Sequence, residues 1–268
     1  MENYPSKRKK INFVYDIDNN IYWQDGLRAA MSLMEIEYNV SYSNVGIDEP
    51  LTKADVYIAW GGFTSKAASA IQNVPGKKIL LYAGGLIYPS EVKNYDNILV
   101  EDEWTVNQFK RGGVSTILAF GTDTQLFKPM SLPKVWDVMY PAAFASWKRH
   151  DKFLEYANGK RALAVGYIQP NNVDREGYNA CLEAGIDVLP RVTAEVLVSL
   201  YNMSSEIVVT ADEIGGGQRT ILEALACNVP INKDLLNDRL LSVYNKGLLT
   251  ELDYYKAIKK GVDELWTM

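Results

Sequence analysis

The stretch Thr210–Pro230, TADEIGGGQRTILEALACNVP, contains the pattern that decides the fold. An apolar run at Glu206–Thr210 leads through three consecutive glycines into a helical pattern at Arg219–Cys227. Glycine lets the backbone adopt positive φ and approach a ligand closely, and the first N–H groups of a helix favour an anion. The stretch therefore predicts a strand, a loop and a helix of an α/β sheet, with a phosphate or diphosphate held at the loop.

Strand and helix patterns alternate on both sides of this stretch. Runs typical of buried strands lie at Ile11–Tyr15, Asp55–Trp60, Lys78–Tyr82, Asn97–Val100, Ser115–Phe120, Asp137–Phe144, Ala162–Gly166, Ile186–Leu189 and Val229–Ile231. Helical spacing lies at Gly26–Met34, Lys66–Ile71, Trp104–Lys110, Lys148–Ala157, Glu176–Ala184 and Ala194–Asn202. Alternation of this kind is typical of open parallel sheets covered by helices.

A turn-rich stretch divides the alternation into two halves. Gly121–Pro129 (GTDTQLFKP) contains turn-forming residues and ends in proline, and further prolines follow it. We therefore predict two doubly wound, Rossmann-like domains, residues 1–125 and 126–252, followed by an amphipathic helix over residues 253–268. Ligands of such sheets bind beyond the carboxyl ends of the strands, so a cleft between the two domains is the expected site.

Composition and charge narrow the class of protein. The chain has 268 residues and a formal net charge of −5, so no global basic field attracts nucleic acid, and the basic run Ser6–Lys10 is expected to be a solvated arm. Cys181 and Cys227 lie far apart in predicted helices and are expected to be reduced thiols. Charged residues near the N-terminus occupy the place of the apolar stretch of a signal peptide, and no window approaches ~18 apolar residues, so we expect neither a signal peptide nor a membrane span. We expect a cytoplasmic protein that could still contact a membrane surface.

Glu223 is the most informative single residue. It lies in the otherwise apolar run Ile221–Ala226, where a helix that packs on a core does not normally carry a carboxylate. It follows Gly217 by six residues, or about 9 Å of helix. That distance matches the span from the phosphates of a nucleotide to its ribose, whose hydroxyls a carboxylate can bind. A solvent-facing glutamate on an amphipathic helix is the alternative.

Three segments, in this order, resemble signatures of retaining GT-B glycosyltransferases of the group 1 and family 4 type. Gly121–Pro129 resembles the stretch between the two domains of that family. Arg191–Glu195 and Glu206–Thr210 resemble the helix and strand that precede its glutamate motif. Glu223–Pro230 (EALACNVP) resembles the second half of that motif. The resemblance covers most of residues 97–231.

This resemblance implies a GT-B architecture, with two Rossmann-like domains facing each other across a cleft. It implies transfer of a sugar from a nucleotide-diphosphate sugar to an acceptor hydroxyl, with retention of configuration and without a metal. Residues 1–125 would form the acceptor side, residues 126–252 would bind the nucleotide sugar, and the helix over 253–268 would return toward the N-terminal domain. No cofactor is expected besides the donor, whose base is open, and the acceptor would be a glycan, a lipid or another hydroxyl compound.

The sequence departs from the family pattern at the first glutamate of the motif. The two glutamates are eight positions apart in the family, and counting back from Glu223 reaches Gly215. Glu213 takes this place if the loop is two residues longer, and we therefore assign it a catalytic role.

A second departure concerns the basic pair that contacts the donor diphosphate in the family. Lys148 matches the lysine, and we assign it a catalytic role, but the arginine five residues earlier falls on Ala143. Arg149 or Arg219 is expected to compensate. Lys148 and Arg149 as two exposed charges at a helix start are the alternative, but cations are unfavourable there, which favours an anionic ligand nearby. The predicted donor-binding residues are Arg149, Gly215, Gly216, Gly217, Gln218, Arg219, Thr220 and Glu223.

Turns after the strands of the N-terminal half are expected to face the acceptor. The predicted acceptor-side residues are Asp16, Asp18, Gly61 and Gly62. Asp16 and Asp18 form a D-x-D pattern, but such carboxylates are common in loops, and we predict no metal site. His150, the only histidine, lies in the donor half, so the acceptor half supplies no histidine base.

Other functions remain open alongside sugar transfer. The missing glutamate and arginine are compatible with a nucleotide-sugar-binding protein that does not catalyse. An epimerase or a phosphorylase-like enzyme with the GT-B fold is another alternative. A glycosyltransferase that acts on modified bases of nucleic acid is a further one, although nucleic acid is not the expected partner of an acidic chain.

Overall fold

The computed structural model describes residues 8–16, 26–83, 89–168 and 172–267. The chain divides into two compact units. Unit 1 consists of Met1–Gly121 and Thr250–Met268, and unit 2 consists of Thr122–Leu249.

Strands and helices alternate along most of both units. The strands are β1 Lys10–Tyr15, β2 Asn39–Asn44, β3 Val56–Gly61, β4 Lys77–Tyr82, β5 Asn97–Val100, β6 Ile117–Leu118, β7 Trp136–Pro141, β8 Ala162–Val165, β9 Asp187–Leu189 and β10 Ser204–Ile207. The helices are α1 Leu27–Glu37, α2 Lys66–Ile71, α3 Pro89–Val92, α4 Glu103–Arg111, α5 His150–Ala157, α6 Asn172–Glu183, α7 Ala194–Met203, α8 Gln218–Ala226, α9 Asp238–Lys246 and α10 Glu251–Thr267. Every helical pattern of the sequence corresponds to one of these helices.

Unit 1 contains a parallel sheet with the strand order β2-β1-β3-β4-β5-β6. Alternate residues of the central strands, including Ala59 and Leu80, pack with Phe63 and Phe109 into one apolar cluster. The helices α2 and α4 begin at side chains that accept hydrogen bonds from the backbone, Ser65 from Ala68 N at 3.0 Å and Asp102 from Thr105 N at 2.7 Å. These caps satisfy backbone N–H groups in the first turns of the two helices.

The strand β2 was not predicted, because its sequence NVSYSN is rich in residues that strands usually lack. It pairs with β1 in parallel over its whole length. The buried Asn12 of β1 donates from Nδ2 to Ser41 Oγ at 3.1 Å and to Ser43 Oγ at 3.2 Å. Polar bonds across the two strands thus take the place of apolar alternation.

The helix α10 belongs to unit 1, where it contacts α1, β4, β5 and β6. Tyr38 donates a hydrogen bond to Asp263 at 2.7 Å, and Asn97 donates to the carbonyl oxygen of Gly261 at 3.2 Å. A side chain at Gly261 would place its Cβ 3.0 Å from Leu99, so the helix lies close against β5. The last helix therefore covers part of a sheet formed by the beginning of the chain.

Unit 2 contains a parallel sheet with the strand order β10-β7-β8-β9. β10 ends at Ile207, earlier than the expected end at Thr210, although Val208 N still donates to Met139 O at 3.0 Å. The expected strand at Val229–Ile231 is reduced to a single bridge between Ile231 and Ile207. The shortened strands leave residues 208–217 as a long connection above the carboxyl end of the sheet.

No helix within the described ranges combines the length and the apolar character needed to cross a bilayer. Cys181 and Cys227 are buried free thiols, and burial raises their pKa values to about 11 and about 12.

Candidate functional site

Two segments meet at the carboxyl edge of the sheet in unit 2. One follows β7 and ends in a 3-10 turn at Ser146–Lys148, and the other follows the neighbouring strand β10. Asp212 N donates to the carbonyl oxygen of Trp147 at 3.0 Å. The carbonyl oxygen of Lys148 accepts hydrogen bonds from the hydroxyls of Tyr140 at 2.7 Å and Thr210 at 3.0 Å. These bonds fix the Lys148 backbone beside the Gly-rich loop.

The three glycines are required by close approach and by backbone conformation. At Gly215 a Cβ would lie 2.5 Å from the Trp147 carbonyl oxygen and 3.0 Å from Asp212 Oδ1. Gly216 and Gly217 have φ values of 65° and 130°, which L-residues with side chains rarely adopt. Gly217 is the N-cap of α8, and no side chain caps this helix. The N–H groups at the positive end of α8 therefore begin directly after the loop.

Lys148 lies over this loop. Its Nζ donates to the carbonyl oxygen of Gly215, and a Cβ at Gly216 would lie 3.6 Å from Nζ. The pKa of Lys148 is lowered to about 8, first by burial and then by the charges of Arg219 and Arg239, against the opposing effect of Asp212. The ammonium group is therefore held in a positive environment.

Arg239 is a member of this cluster that the sequence analysis did not find. Only 4% of its surface is exposed, and its Nη1 donates to the carbonyl oxygen of Glu213 at 3.0 Å. It lies in the first turn of α9, whose N-cap Asn237 donates to the carbonyl oxygen of Ala211 at 2.8 Å. The positive charge of an arginine in the first turn of a helix is unfavourable beside the positive end of the helix dipole. This placement was the feature of the sequence that could have indicated an anion site at Arg239.

Arg149 is placed differently from Lys148. Its guanidinium pairs with the Asp151 carboxylate at 2.6 Å on the surface, and this pairing raises the pKa of Arg149. Its backbone has the left-handed φ of 52° and joins the 3-10 turn to α5. The Arg149 carbonyl oxygen accepts a hydrogen bond from Thr210 at 2.9 Å, so the backbone of Arg149 belongs to the site while its guanidinium lies at Asp151.

Glu223 is buried, with 4% of its surface exposed. The Tyr201 hydroxyl donates to its Oε2 at 2.8 Å, and burial followed by the charge of Glu223 raises the pKa of Tyr201 far above its usual range. Thr220, one turn earlier in α8, donates to the Pro141 carbonyl oxygen at 3.1 Å. Glu223 is therefore not a solvent-facing residue of an amphipathic helix. Its proposed contact with ribose stays a prediction.

The two neighbouring acidic residues of the loop differ in environment. Glu213 is exposed, and Arg239 bonds its backbone carbonyl oxygen rather than its side chain. The Oδ1 atom of Asp212 is buried and has no hydrogen-bond partner among the described residues. The catalytic role assigned to Glu213 stays a prediction.

His150 begins α5 beneath the site. It is buried, and its ring stacks on Phe144 with centroids 4.8 Å apart. Burial lowers its pKa to about 4, helped by the charge of Lys148, so the imidazole is neutral at physiological pH. It is a packing residue of unit 2.

The predicted acceptor-side residues belong to unit 1. Asp16 accepts a weak hydrogen bond from Ala67 N at 3.4 Å. Gly61 ends β3 with a φ of 139°, and a Cβ at Gly62 would have no neighbour within 4 Å. Asp18 lies outside the described residues. In the part of the chain that the structure describes, no three His, Cys, Asp or Glu side chains gather as metal ligands.

No protein-family model and no curated protein matches the sequence. Solved structures do match. HepE of Anabaena, in complex with UDP and glucose, gives a TM-score of 0.62 at 13% identity over 97% of this chain and 100% of that chain. Sucrose-phosphate synthase of Thermosynechococcus elongatus gives 0.62 at 14% identity, over 97% and 90% of the two chains. UDP-GlcNAc 2-epimerase of Neisseria meningitidis, bound to UDP-GlcNAc, gives 0.57 at 11% identity, over 94% and 91%.

The chain therefore has the fold of GT-B glycosyltransferases, built from two Rossmann-like units. This confirms the prediction of fold class and the fold-level resemblance stated from the sequence. Identities of 11–14% show the fold alone, so the roles predicted for individual residues rest on the geometry described above.

Proposed function

We propose that unit 2 binds a nucleotide-diphosphate sugar and that the protein transfers the sugar to an acceptor hydroxyl. The observation that carries this proposal is the group of three cations, Lys148, Arg219 and Arg239, around the Gly-rich loop. Removing a charge from water is unfavourable unless an opposite charge compensates it. The lowered pKa of Lys148 records the unfavourable burial of its charge beside two arginines, and a diphosphate at the loop would stabilise its ammonium form.

The same cations suit the chemistry of transfer. When the bond between sugar and phosphate breaks, negative charge grows on the leaving diphosphate, and groups already oriented toward it stabilise the transition state. Lys148, the two arginines and the positive end of α8 are such groups. Because they can carry this charge, we propose that transfer proceeds without a metal. Retention of configuration follows from the resemblance, with a diphosphate oxygen as the base toward the acceptor.

The remaining assignments of the donor and acceptor are proposals of the same kind. HepE was crystallised with UDP, so uracil is the first nucleotide base to test. We propose that Glu223 binds the ribose hydroxyls, and that Asp16, Asp18, Gly61 and Gly62 line the acceptor side.

We propose that the acceptor is a glycan, a lipid or another hydroxyl compound and that the protein is located in the cytoplasm. The proposed domains are residues 1–125 and 126–252, with the helix over 253–268 joining the first.

A panel of nucleotides and nucleotide sugars tests the proposal. Thermal unfolding of the wild type is measured with UDP, GDP, ADP, CMP and their sugars, and a ligand that binds the folded state raises the unfolding temperature. Lys148→Met should reduce the shift, whereas Lys152→Met, which replaces an exposed lysine of α5, should keep it. Absence of any shift in the wild type would contradict nucleotide binding.

Turnover is measured separately on the ligand that binds. Release of nucleoside diphosphate, with or without an added acceptor, indicates transfer or donor hydrolysis. Binding without release indicates a nucleotide-sugar-binding protein. Release only with modified nucleic acid indicates the alternative acceptor.

Epimerisation is a second candidate, because an epimerase that binds UDP-GlcNAc shares the fold over 94% of this chain. Incubation with UDP-GlcNAc alone, followed by NMR of the sugar, distinguishes it. Inversion at a sugar carbon without added acceptor would support the epimerase.

A further inference from the structure

Arg149 has a backbone conformation that its residue type does not favour. Its φ of 52° and ψ of 54° lie in the left-handed region, which is unfavourable for residues with a Cβ. Among the described residues other than glycine, Asp48 and Asn228 also have a positive φ, and both are of types that adopt this region more readily. The left-handed conformation of Arg149 therefore requires an explanation from its surroundings.

The hydrogen bonds around Arg149 show what this conformation does. Arg149 lies between the 3-10 turn Ser146–Lys148 and α5, and its carbonyl oxygen accepts from Lys152 N at 3.1 Å. If the helix continued through Arg149, the carbonyl oxygen of Lys148 would be the acceptor for Lys152 N instead. The left-handed residue thus separates the turn from the helix and leaves the Lys148 carbonyl without a partner in α5. Away from water, such a carbonyl oxygen needs another donor.

Two buried hydroxyls supply this donor from neighbouring strands. Tyr140 lies in β7 and Thr210 lies after β10, and they are 0% and 1% exposed. The Tyr140 hydroxyl donates to Lys148 O at 2.7 Å, and the Thr210 hydroxyl lies 3.0 Å from Lys148 O and 2.9 Å from Arg149 O. The φ and ψ of Arg149 set the relative directions of these two carbonyls. Bonds to both of them therefore stabilise the turn in its observed conformation.

The side chain of Lys148 depends on this turn for its place over the loop. Its Nζ donates to the carbonyl oxygen of Gly215. Burial is the largest cause that lowers the pKa of Lys148 to about 8, so the charged ammonium would be better solvated in water. A lysine side chain is long and flexible, and a small movement of its backbone would let the ammonium reach solvent.

We propose that the hydroxyls of Tyr140 and Thr210 are positioning groups for binding of the nucleoside diphosphate. They stabilise the left-handed turn at Arg149 and thereby keep the ammonium of Lys148 at the glycine-rich loop. This rests on the proposed function, which places the diphosphate at that loop. Glycine adopts positive φ about as readily as negative φ, so with glycine at position 149 the turn would depend much less on the hydroxyls.

The test compares the loss of a hydroxyl in two backgrounds at position 149. Arg149→Ala and Arg149→Gly both remove the guanidinium and its pair with Asp151, but glycine alone of the two adopts positive φ readily. Dissociation constants for UDP are measured by calorimetry with and without Thr210→Val, in the wild type and in both backgrounds. If another nucleoside diphosphate stabilises the wild type in the panel, it replaces UDP.

In the wild type and in Arg149→Ala we expect Thr210→Val to weaken UDP binding about tenfold, the size of effect expected for a lost hydrogen bond that orients a charged group. In Arg149→Gly the same change should weaken binding less than about threefold, because the turn forms without the hydroxyl. Tyr140→Phe should act like Thr210→Val.

Two further variants serve as controls. Thr210→Ser keeps the hydroxyl and should bind UDP like the wild type. Ser204→Ala removes another buried hydroxyl of unit 2, which donates to the Leu200 carbonyl oxygen at 2.8 Å, and it should keep the wild-type affinity. Thermal unfolding shows which variants are folded, and if Tyr140→Phe is not, the comparison of Thr210→Val with Thr210→Ser decides the test.

Each contrary outcome has its own meaning. Equal losses in the glycine and alanine backgrounds would overturn the role of the left-handed turn. Unchanged UDP affinity in both Tyr140→Phe and Thr210→Val would overturn the positioning role, while binding by the wild type would leave the nucleotide site standing. If the wild type binds no nucleoside diphosphate, the proposed function fails and this inference fails with it.

Discussion

Buried polar and charged groups have different kinds of partner in the two units. In unit 1, buried Asp102 caps α4, and buried Asn12 bonds to two serines of β2. In unit 1, hydrogen bonds within the fold therefore account for the burial of these polar side chains. In unit 2, Lys148 and Arg239 are directed at carbonyl oxygens of one glycine-rich loop, and the pKa of Lys148 is lowered to about 8. Buried cations gathered around a glycine-rich loop thus distinguish the candidate ligand site from helix caps and polar bonds within a sheet.

Replacing Arg239 should give the largest effect on binding. Arg239→Gln removes a buried charge and the bond to the Glu213 carbonyl oxygen, and we expect nucleoside diphosphate affinity to fall about 10- to 100-fold. Arg161→Gln is the matched control, because this arginine forms an exposed pair with Asp137 at 2.8 Å in the same unit. Calorimetry measures both. Equal affinities in the two variants would show that the buried charge does not serve the ligand.

The glycines of the two edges allow a matched comparison of stability. Gly217 has a φ of 130°, and its Cβ would lie 2.7 Å from Val209, whereas a Cβ at Gly62 would meet nothing within 4 Å. We expect Gly217→Ala to lower the free energy of unfolding by about 1–3 kcal/mol and Gly62→Ala to change it by less than about 0.5 kcal/mol. Urea unfolding of both variants tests this. A large effect at Gly62 would contradict the difference between the two edges.

The pH dependence of binding should be the smallest effect. Lys148 loses its proton above its pKa of about 8 in the free protein, and a bound diphosphate stabilises the ammonium and raises that pKa. Binding above this pH therefore takes up a proton, and affinity should fall by up to about tenfold per pH unit, until the pKa of the bound state is reached.

Lys148→Met should remove this dependence, which calorimetry at about pH 7 and about pH 9 would reveal. His150 does not contribute, because its lowered pKa of about 4 keeps it neutral over this range. A profile that is equally steep in Lys148→Met would assign the titration to another group.

The sequence predicted the alternation of elements well because the buried strands are short apolar runs. It failed at β2, whose polar side chains are stabilised by Asn12 from a strand that lies far away in sequence. It predicted β10 to extend to Thr210, but the strand ends at Ile207 and the last residues form the connection to the loop. Apolar character alone does not show where a strand stops pairing.

The candidate site was predictable where the sequence resembles a motif of the family. The loop glycines and Lys148 could be named from the sequence, and the structure brings them together. Arg239 was missed, because it lies outside the segments that resemble the family and its position in the first turn of α9 was the one signal for it. The difference between Asp212 and Glu213 was also hidden, since adjacent residues of a loop point in directions that depend on backbone bonds to Trp147 and Arg239.

The docking of α10 on unit 1 has a consequence for the order of assembly during synthesis. Unit 2 is continuous in the chain, whereas unit 1 is formed by Met1–Gly121 together with Thr250–Met268. A ribosome therefore makes all of unit 2 before it makes the helix that covers β4 and β5. Domains generally fold as units during synthesis, so unit 2 can complete its core first. Until then, the part of the sheet of unit 1 that α10 covers stays uncovered, so unit 1 completes its core only after unit 2 has been translated.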